Sequence, residues 1–214
     1  MIRSMGPVDE SRQVFTLDCY FRQFWIDSRL KFNSTGTGLD ELPMNWQFLS
    51  RIWRPDTFFL NGKDSFLHKV AVPNRFIRIS PEGRISYSQR LTVTATCAMD
   101  LKKFPLDRQA CPLEIGSFGH DVNELVYHWS ESAASMEKDT IELAQYLLVS
   151  WSVGQKNSSL RNGQHSVIFV TFNFQRVIGF YVLQVYVPLT IVVMSSWVSF
   201  WLVKYRMSHK NMEI

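Results

Sequence analysis

Residues 97–111 read Cys-Ala-Met-Asp-Leu-Lys-Lys-Phe-Pro-Leu-Asp-Arg-Gln-Ala-Cys. Two of the three cysteines in the chain, Cys97 and Cys111, enclose a segment with the composition of a tight turn. Phe104-Pro105 restricts the backbone there, and Asp107 can accept hydrogen bonds from nearby amides. If the two thiols are oxidised, closing a ring of this size would stabilise the fold by roughly 3 kcal/mol. The alternative is a pair of unbridged core cysteines, because free cysteine is often buried.

A long uncharged segment lies near the C-terminus. Residues 179–203 contain no formal charge, and at about 1.5 Å per residue they can cross a hydrocarbon layer of ~30 Å. Arg176 precedes the segment, and three basic residues follow it: Lys204, Arg206 and Lys210. This excess of positive charge predicts a cytoplasmic C-terminus. We therefore predict an extracellular domain over residues 1–178, a spanning helix over 179–203 and a cytoplasmic tail over 204–214.

The predicted orientation places the domain in an oxidising compartment. Such a compartment favours the Cys97–Cys111 bridge and leaves Cys19 as the single thiol. Asn33 and Asn157 each begin an Asn-x-Ser/Thr tripeptide, so they are candidate glycan acceptors on an exported domain.

The segment 14–25 alternates between apolar and polar residues, as a half-buried strand does. One face carries Phe15, Leu17, Cys19 and Phe21. The opposite face presents Tyr20 and Arg22 as neighbours on a polar surface. The alternative interpretation of this pair is an ordinary solvated strand face.

A turn at residues 81–83, Pro-Glu-Gly, joins two further alternating segments and predicts a hairpin. Folding the chain at this turn pairs Arg78 with Ser86 and places Ser88 one diagonal step away on the same face. A guanidinium with two hydroxyls in reach can hold a carboxylate. The alternative is a surface hairpin with ordinary polar residues.

Further strands are predicted at residues 146–153 and 167–174, joined by a long, mobile polar loop that contains Asn162-Gly163. In all, the pattern predicts about eight to ten short strands and little helix before residue 179. We predict an all-β, immunoglobulin-like extracellular β-sandwich followed by a single transmembrane helix.

Several function classes find no support in the sequence. The net charge is only +4 and the basic residues are scattered, which argues against nucleic-acid binding. The five histidines are far apart and show no metal-ligand spacing. No nucleophile elbow or phosphate-binding glycine loop is present. We therefore predict neither an enzyme nor a bound cofactor or metal.

Four stretches together carry a resemblance to a known family. They are the cysteine-bracketed segment, residues 53–61 (Trp-Arg-Pro-Asp-Thr-Phe-Phe-Leu-Asn), residues 112–119 (Pro-Leu-Glu-Ile-Gly-Ser-Phe-Gly), and the apolar run with Gly-Phe-Tyr-Val-Leu-Gln at 179–184 and Ser-Trp-Val-Ser-Phe-Trp at 196–201. In this order they resemble the Cys-loop receptors, the pentameric neurotransmitter-gated ion channels, and most closely the anion channels of the GABA and glycine type. The resemblance runs from about residue 6 to residue 205, and it implies a ligand-binding domain over residues 1–178 that is incomplete at its N-terminus.

In that family the agonist lies between a principal face of one subunit and a complementary face of its neighbour. By resemblance, five positions belong to the complementary face: Tyr20, Arg22, Arg78, Ser86 and Ser88. The principal-face positions are Phe58, Ser117, Phe118, Asn162 and His165. The principal face is incomplete, because Gly116 stands where GABA-binding subunits have an acidic residue that holds the ligand's ammonium.

The resemblance implies a postsynaptic plasma-membrane subunit of a heteropentamer that binds a small amino acid such as GABA. Phe104, Pro105 and Asp107 of the cysteine loop would transmit motion to the pore. The family's pore helix is not part of this chain, so a pore-less regulatory module that captures ligand or partner subunits is the alternative. A β-sandwich adhesion protein with a single span is a third.

Overall fold

Ten β-strands and a long C-terminal helix form the framework of the part of the chain that the structure describes. The computed structural model describes residues 1–34, 40–131, 133–136, 143–160 and 163–210. The strands are β1 (Ile2–Asp9), β2 (Val14–Ile26), β3 (Leu42–Met44), β4 (Thr57–Phe59), β5 (Gly62–Leu67), β6 (Arg75–Ile79), β7 (Arg84–Thr96), β8 (Arg108–Ser117), β9 (Tyr146–Leu160) and β10 (Gly163–Arg176). Short 3-10 helices occupy Ser28–Leu30 and Trp46–Ser50.

The strands form two sheets. The six-stranded sheet has the order β1-β2-β7-β6-β3, and β5 also pairs with β7. The long strand β7 contacts β2 along one edge, while β6 and β5 follow one another along its other edge. The four-stranded sheet has the order β4-β8-β10-β9. All of these strand pairs are antiparallel, and the predicted β-sandwich is confirmed.

The core lies between the two sheets and contains the disulfide. Phe15 of β2 meets Phe172 of β10 with ring centroids 5.9 Å apart. Cys97 and Cys111 are bonded and buried beside them, so the prediction of a closed loop is confirmed. A second buried cluster lies around the β6–β7 hairpin: Leu49, Ile77, Ile79, Ile85 and Tyr87.

The last hairpin differs from the prediction. Strands β9 and β10 extend to Leu160 and Gly163, so most of the expected long polar loop is β-ladder; residues 161 and 162 lie outside the described part of the chain. Opposed residues such as Gln164 and Ser159 keep the ladder in register. Strands β9 and β10 continue into this polar segment because a polar sequence is compatible with two antiparallel strands that are exposed to solvent.

The chain after β10 is helical. Ile178–Tyr181 is α-helical, Val182–Tyr186 forms a π-helical turn and Val187–Lys210 is α-helical. The stretch Ile178–Lys204 is long and apolar enough to cross a membrane, and its most apolar part is not buried against the domain. The hydroxyls of Thr190, Ser195 and Ser199 donate to carbonyls of the helix itself. Such internal pairing satisfies polar groups that lipid cannot.

Candidate functional site

Strands β2, β7 and β6 bring the predicted complementary-face residues onto one surface. Arg78 of β6 lies opposite Ser86 of β7, as the hairpin turn predicted. Ser88, two residues further along β7, lies opposite Arg22 of β2. Because side chains two residues apart on a strand share a face, the two rows face the same way. We call Tyr20, Arg22, Arg78, Ser86 and Ser88 the arginine face.

Burial differs across the arginine face. The side chains of Arg22 and Arg78 are exposed, and Ser86 is half-buried. Ser88 was expected on an exposed face, but it is only 2% exposed. Its short side chain lies in the central strand between the larger Arg22 and Phe76 in the neighbouring strands. Ser88 therefore offers almost no accessible surface to a ligand in this conformation of the chain.

Two residues of the arginine face already have partners from the same chain. The guanidinium of Arg3 lies 5.7 Å from the centre of the Tyr20 ring. Arg78 donates a hydrogen bond from Nη1 to Oε2 of Glu41 at 3.1 Å. Among the residues that the structure describes, Arg22 forms no ion pair.

The predicted principal-face residues gather on the other sheet, where β4, β8 and β10 meet. Phe58 lies opposite Gly116, and its ring meets the edge of the Phe118 ring at 5.4 Å. Phe118 is 79% exposed, so this aromatic pair presents an open surface. Asn162 lies outside the described residues.

Ser117 has a structural partner. Its buried hydroxyl donates to Oδ1 of Asp56 at 2.5 Å and accepts a hydrogen bond from the amide of His120. Asp56 also accepts from the amide of Gly119 at 2.6 Å. Burial alone would raise the pKa of Asp56, but these hydrogen bonds outweigh it and the pKa is lowered. Asp56 thus holds the turn that carries Phe118, a role that the sequence pattern does not reveal.

His165 is placed differently from the prediction. Its family position suggested an aromatic side chain over the ligand, yet His165 is only 4% exposed. Its Nδ1 is buried and has no hydrogen-bond partner among the described residues. In β10 it lies opposite Ser158 of β9, within the ladder that replaces the predicted mobile loop.

Gly116, at the position where the resemblance led us to look for an acidic residue, is closely surrounded by other groups. A Cβ at this position would lie 3.1 Å from Cδ1 of Leu60 and 3.2 Å from the carbonyl oxygen of Ser166. Both distances are shorter than ordinary van der Waals contact. An acidic side chain at this position would therefore require its neighbours to move.

We expect Gly116→Glu to destabilise the domain by about 1–3 kcal/mol, because the added side chain must displace Leu60 and the β10 backbone. The measurement is thermal unfolding of the purified chain in detergent. Leu60→Ala removes the nearer contact, so Gly116→Glu should be less costly in that background. An unchanged melting temperature for Gly116→Glu would contradict this account of the packing.

A third group of residues lies where the domain meets the helix. Asp107, in the cysteine loop, is 2% exposed, and Arg176, at the end of β10, is 4% exposed. Arg176 donates from Nε to Oδ1 of Asp107 at 2.6 Å and from Nη2 to Oδ2 at 3.0 Å. It also pairs with Glu10, in the β1–β2 turn. We call Glu10, Phe104, Asp107, Tyr146, Arg176 and Tyr181 the helix-base cluster.

Aromatic rings enclose the guanidinium of Arg176. Its Cζ lies 4.5 Å from the Tyr146 ring centre, 4.8 Å from that of Phe104 and 5.3 Å from that of Tyr181. The Tyr181 hydroxyl accepts a hydrogen bond from Arg176 Nη1 at 2.8 Å. Asp107 and Phe104 were predicted as loop residues that transmit motion, whereas the partnership of Arg176 with Glu10 was not found from sequence.

The charges of the helix-base cluster stabilise one another. Hydrogen bonds from Arg176 lower the pKa of Asp107. Burial alone would raise the pKa of Glu10, but bonds from Arg176 and Tyr146 outweigh it and lower the pKa. Burial alone would lower the pKa of Arg176, and its bonds to Asp107 and Glu10 raise it instead. All three groups are therefore charged at neutral pH.

The candidate glycan acceptors are exposed. Asn33 follows the first 3-10 helix, and Asn157 lies in β9 at the edge of the four-stranded sheet. The edge strand leaves room for a bulky substituent beside Asn157. Glycosylation of Asn33 and Asn157 stays a prediction.

The chain is a disulfide-closed β-sandwich whose last strand continues into an apolar helix that is long enough to cross a membrane. Residues 1–178 match the family model of the neurotransmitter-gated ion-channel ligand binding domain. The chain belongs to this family, as the resemblance predicted, and thus to a group of ion channels and not of enzymes.

Subunits of gamma-aminobutyric acid receptors are among the relatives that the chain matches. The chain is 39% identical over 204 residues to the human alpha-2 subunit, covering 94% of this chain and 45% of the relative. It is 38% identical to the chicken alpha-6 subunit over 95% of this chain and 44% of the relative. The rat alpha-4 subunit is 37% identical over 95% of this chain and 37% of the relative. The chain thus spans less than half the length of these relatives.

Proposed function

We propose that the chain belongs to a subunit of a GABA-like, neurotransmitter-gated chloride channel and supplies the complementary face of an agonist site between subunits. In this proposal residues 1–178 are extracellular, 179–203 cross the plasma membrane of a postsynaptic cell, and 204–214 are cytoplasmic. The relatives' names, gamma-aminobutyric acid receptor subunits, support an amino-acid ligand.

The arginine face carries this proposal. It presents two exposed guanidinium groups on one surface of the six-stranded sheet, with the half-buried Ser86 and the buried Ser88 in the strand between them. Arginine offers paired donors that match the two oxygens of a carboxylate. Tyr20 adds an aromatic wall beside them. This set of groups suits the carboxylate end of a small zwitterion.

The geometry also favours a site completed by a second subunit. A cavity of about 430 Å³ lies beside β2 and includes Tyr20 and Arg22 in its lining, but Arg78, Ser86 and Ser88 lie outside it. This cavity therefore does not enclose the arginine face as a whole. Small-molecule sites are usually concave, so a neighbouring subunit would supply the opposite wall.

The same reasoning favours a heteropentamer. The ammonium of the ligand needs a counter-charge, and the tightly packed Gly116 takes the position where GABA-binding relatives would carry it. Ser117 is engaged with Asp56. A partner subunit with an intact principal face would supply the missing carboxylate.

We expect Arg22→Ala and Arg78→Ala each to weaken GABA binding by roughly ten- to hundredfold, since each removes hydrogen bonds to a charged group. Tritiated GABA binding would be measured on membranes from cells that co-express the chain, fused behind a secretion signal, with a full-length GABA-binding subunit. Arg108→Ala, which removes an exposed arginine from β8, is the matched control and should bind as the unaltered chain does.

The same cells test assembly. Co-precipitation of the two subunits together with arginine-dependent binding would support a channel subunit. Co-precipitation with reduced agonist-evoked current would instead support the regulatory module. Binding that is indifferent to both arginines would contradict the complementary-face proposal and favour an adhesive β-sandwich.

A further inference from the structure

One arginine of the arginine face is held by a carboxylate of the same chain. Oε2 of Glu41 accepts the hydrogen bond from Arg78 Nη1 at 3.1 Å, and both side chains remain about half exposed. The ring of Phe76 lies against the same guanidinium, with Cζ 5.3 Å from the ring centre. Glu41 thus occupies an N–H group of Arg78 that the proposed agonist site requires.

The position of Glu41 is fixed by the sheet. Glu41 directly precedes β3, whose three residues pair with β6: Leu42 with Ile79, Pro43 with Arg78, and Met44 with Ile77. Met44 packs against the second buried cluster. Because Glu41 is two residues before Pro43, which lies opposite Arg78, its carboxylate lies within reach of the Arg78 guanidinium.

The chemistry of this contact imitates that of a ligand. A glutamate side chain and a zwitterionic amino acid both present a carboxylate, and a guanidinium binds the two through the same N–H donors. Arg22, the other cation of the face, forms no such pair within the described part of the chain. The two arginines therefore differ in their availability.

We propose that Glu41 is an affinity-determining residue, a tethered carboxylate that competes with the ligand's carboxylate for Arg78. This inference rests on the proposed function, because it concerns the same site. Agonist binding then includes displacement of Glu41 from Arg78, whereas contact with Arg22 needs no displacement. The exposed position of the pair keeps the competition modest, since exposed ion pairs are weak.

Glu41→Gln tests this inference. The amide keeps the size of the side chain and removes its charge, so we expect tritiated GABA to bind about two- to fivefold more tightly in the co-expressed complex. In the Arg78→Ala background the same change should have no effect, because the competed group is gone. The matched control is Glu82→Gln, which removes an exposed carboxylate from the turn between β6 and β7.

The outcomes separate this inference from the proposed function. If Arg78→Ala weakens binding while Glu41→Gln leaves it unchanged, or weakens it, the competition is refuted and the agonist site stands. An equal gain for Glu82→Gln would also refute it, since a general charge effect would then explain the result. Absence of specific GABA binding in all variants would overturn the proposed function and this inference with it.

Discussion

Arg176→Met is expected to lower the free energy of unfolding by about 3–5 kcal/mol, because it leaves the buried carboxylate of Asp107 and the partly buried carboxylate of Glu10 without their counter-charge. Asp107 would lose both bonds that its oxygens receive from Arg176, and Glu10 would lose its ion pair. Methionine retains much of the side-chain volume, so the effect reports on charge more than on a cavity. Thermal unfolding of the detergent-solubilised chain measures it.

Two further variants make the Arg176 result interpretable. Arg12→Met removes an exposed arginine that pairs with the nearby Asp9, and its melting temperature should match that of the unaltered chain. Combining Arg176→Met with Asp107→Asn should recover part of the loss, because the amide carries no charge. A fully stable Arg176→Met variant would contradict the role assigned to the helix-base cluster.

The second large effect is expected from the cysteine loop. Replacing both Cys97 and Cys111 with alanine should destabilise the domain by roughly 3 kcal/mol, since the bridge closes a loop with a sequence separation of 14 residues. Reducing the disulfide of the unaltered chain before unfolding should lower its melting temperature to about that of the double variant. The melting temperature of the double variant itself should not change on reduction.

Cys19→Ala is the control for the disulfide. Burial raises the pKa of the Cys19 thiol to about 12, so this group is protonated at neutral pH and inert toward thiol reagents. The Cys19→Ala variant should therefore keep the full sensitivity to reduction. If reduction had no effect on a chain that retains Cys97 and Cys111, the disulfide would not contribute to stability.

Local patterns in the sequence were sufficient for part of the fold and site. The alternation of residues 14–22 and the turn at residues 81–83 place Arg22, Arg78 and Ser86 correctly, because strand parity and hairpin register depend on neighbouring residues alone. The uncharged run after β10 likewise predicts its helix from composition and length.

Features that depend on distant residues could not be predicted in this way. Ser88 is buried in the central strand between Arg22 and Phe76, which come from two other strands. The bond between Arg176 and Glu10 joins residues 166 positions apart. The packing of Gly116 depends on Leu60 and the β10 backbone. Each of these requires the tertiary structure, whereas the sequence shows only the residue types.

The position of Arg176 at the end of β10 has a consequence for the order of events during synthesis. Glu10 and Asp107 are made long before the cation that neutralises them, and β10 lies between β8 and β9 in its sheet. The four-stranded sheet and the ion pairs therefore cannot be completed until the ribosome has passed residue 176. The apolar helix begins two residues later, at Ile178. The domain can therefore complete its packing only when this helix is also being synthesised.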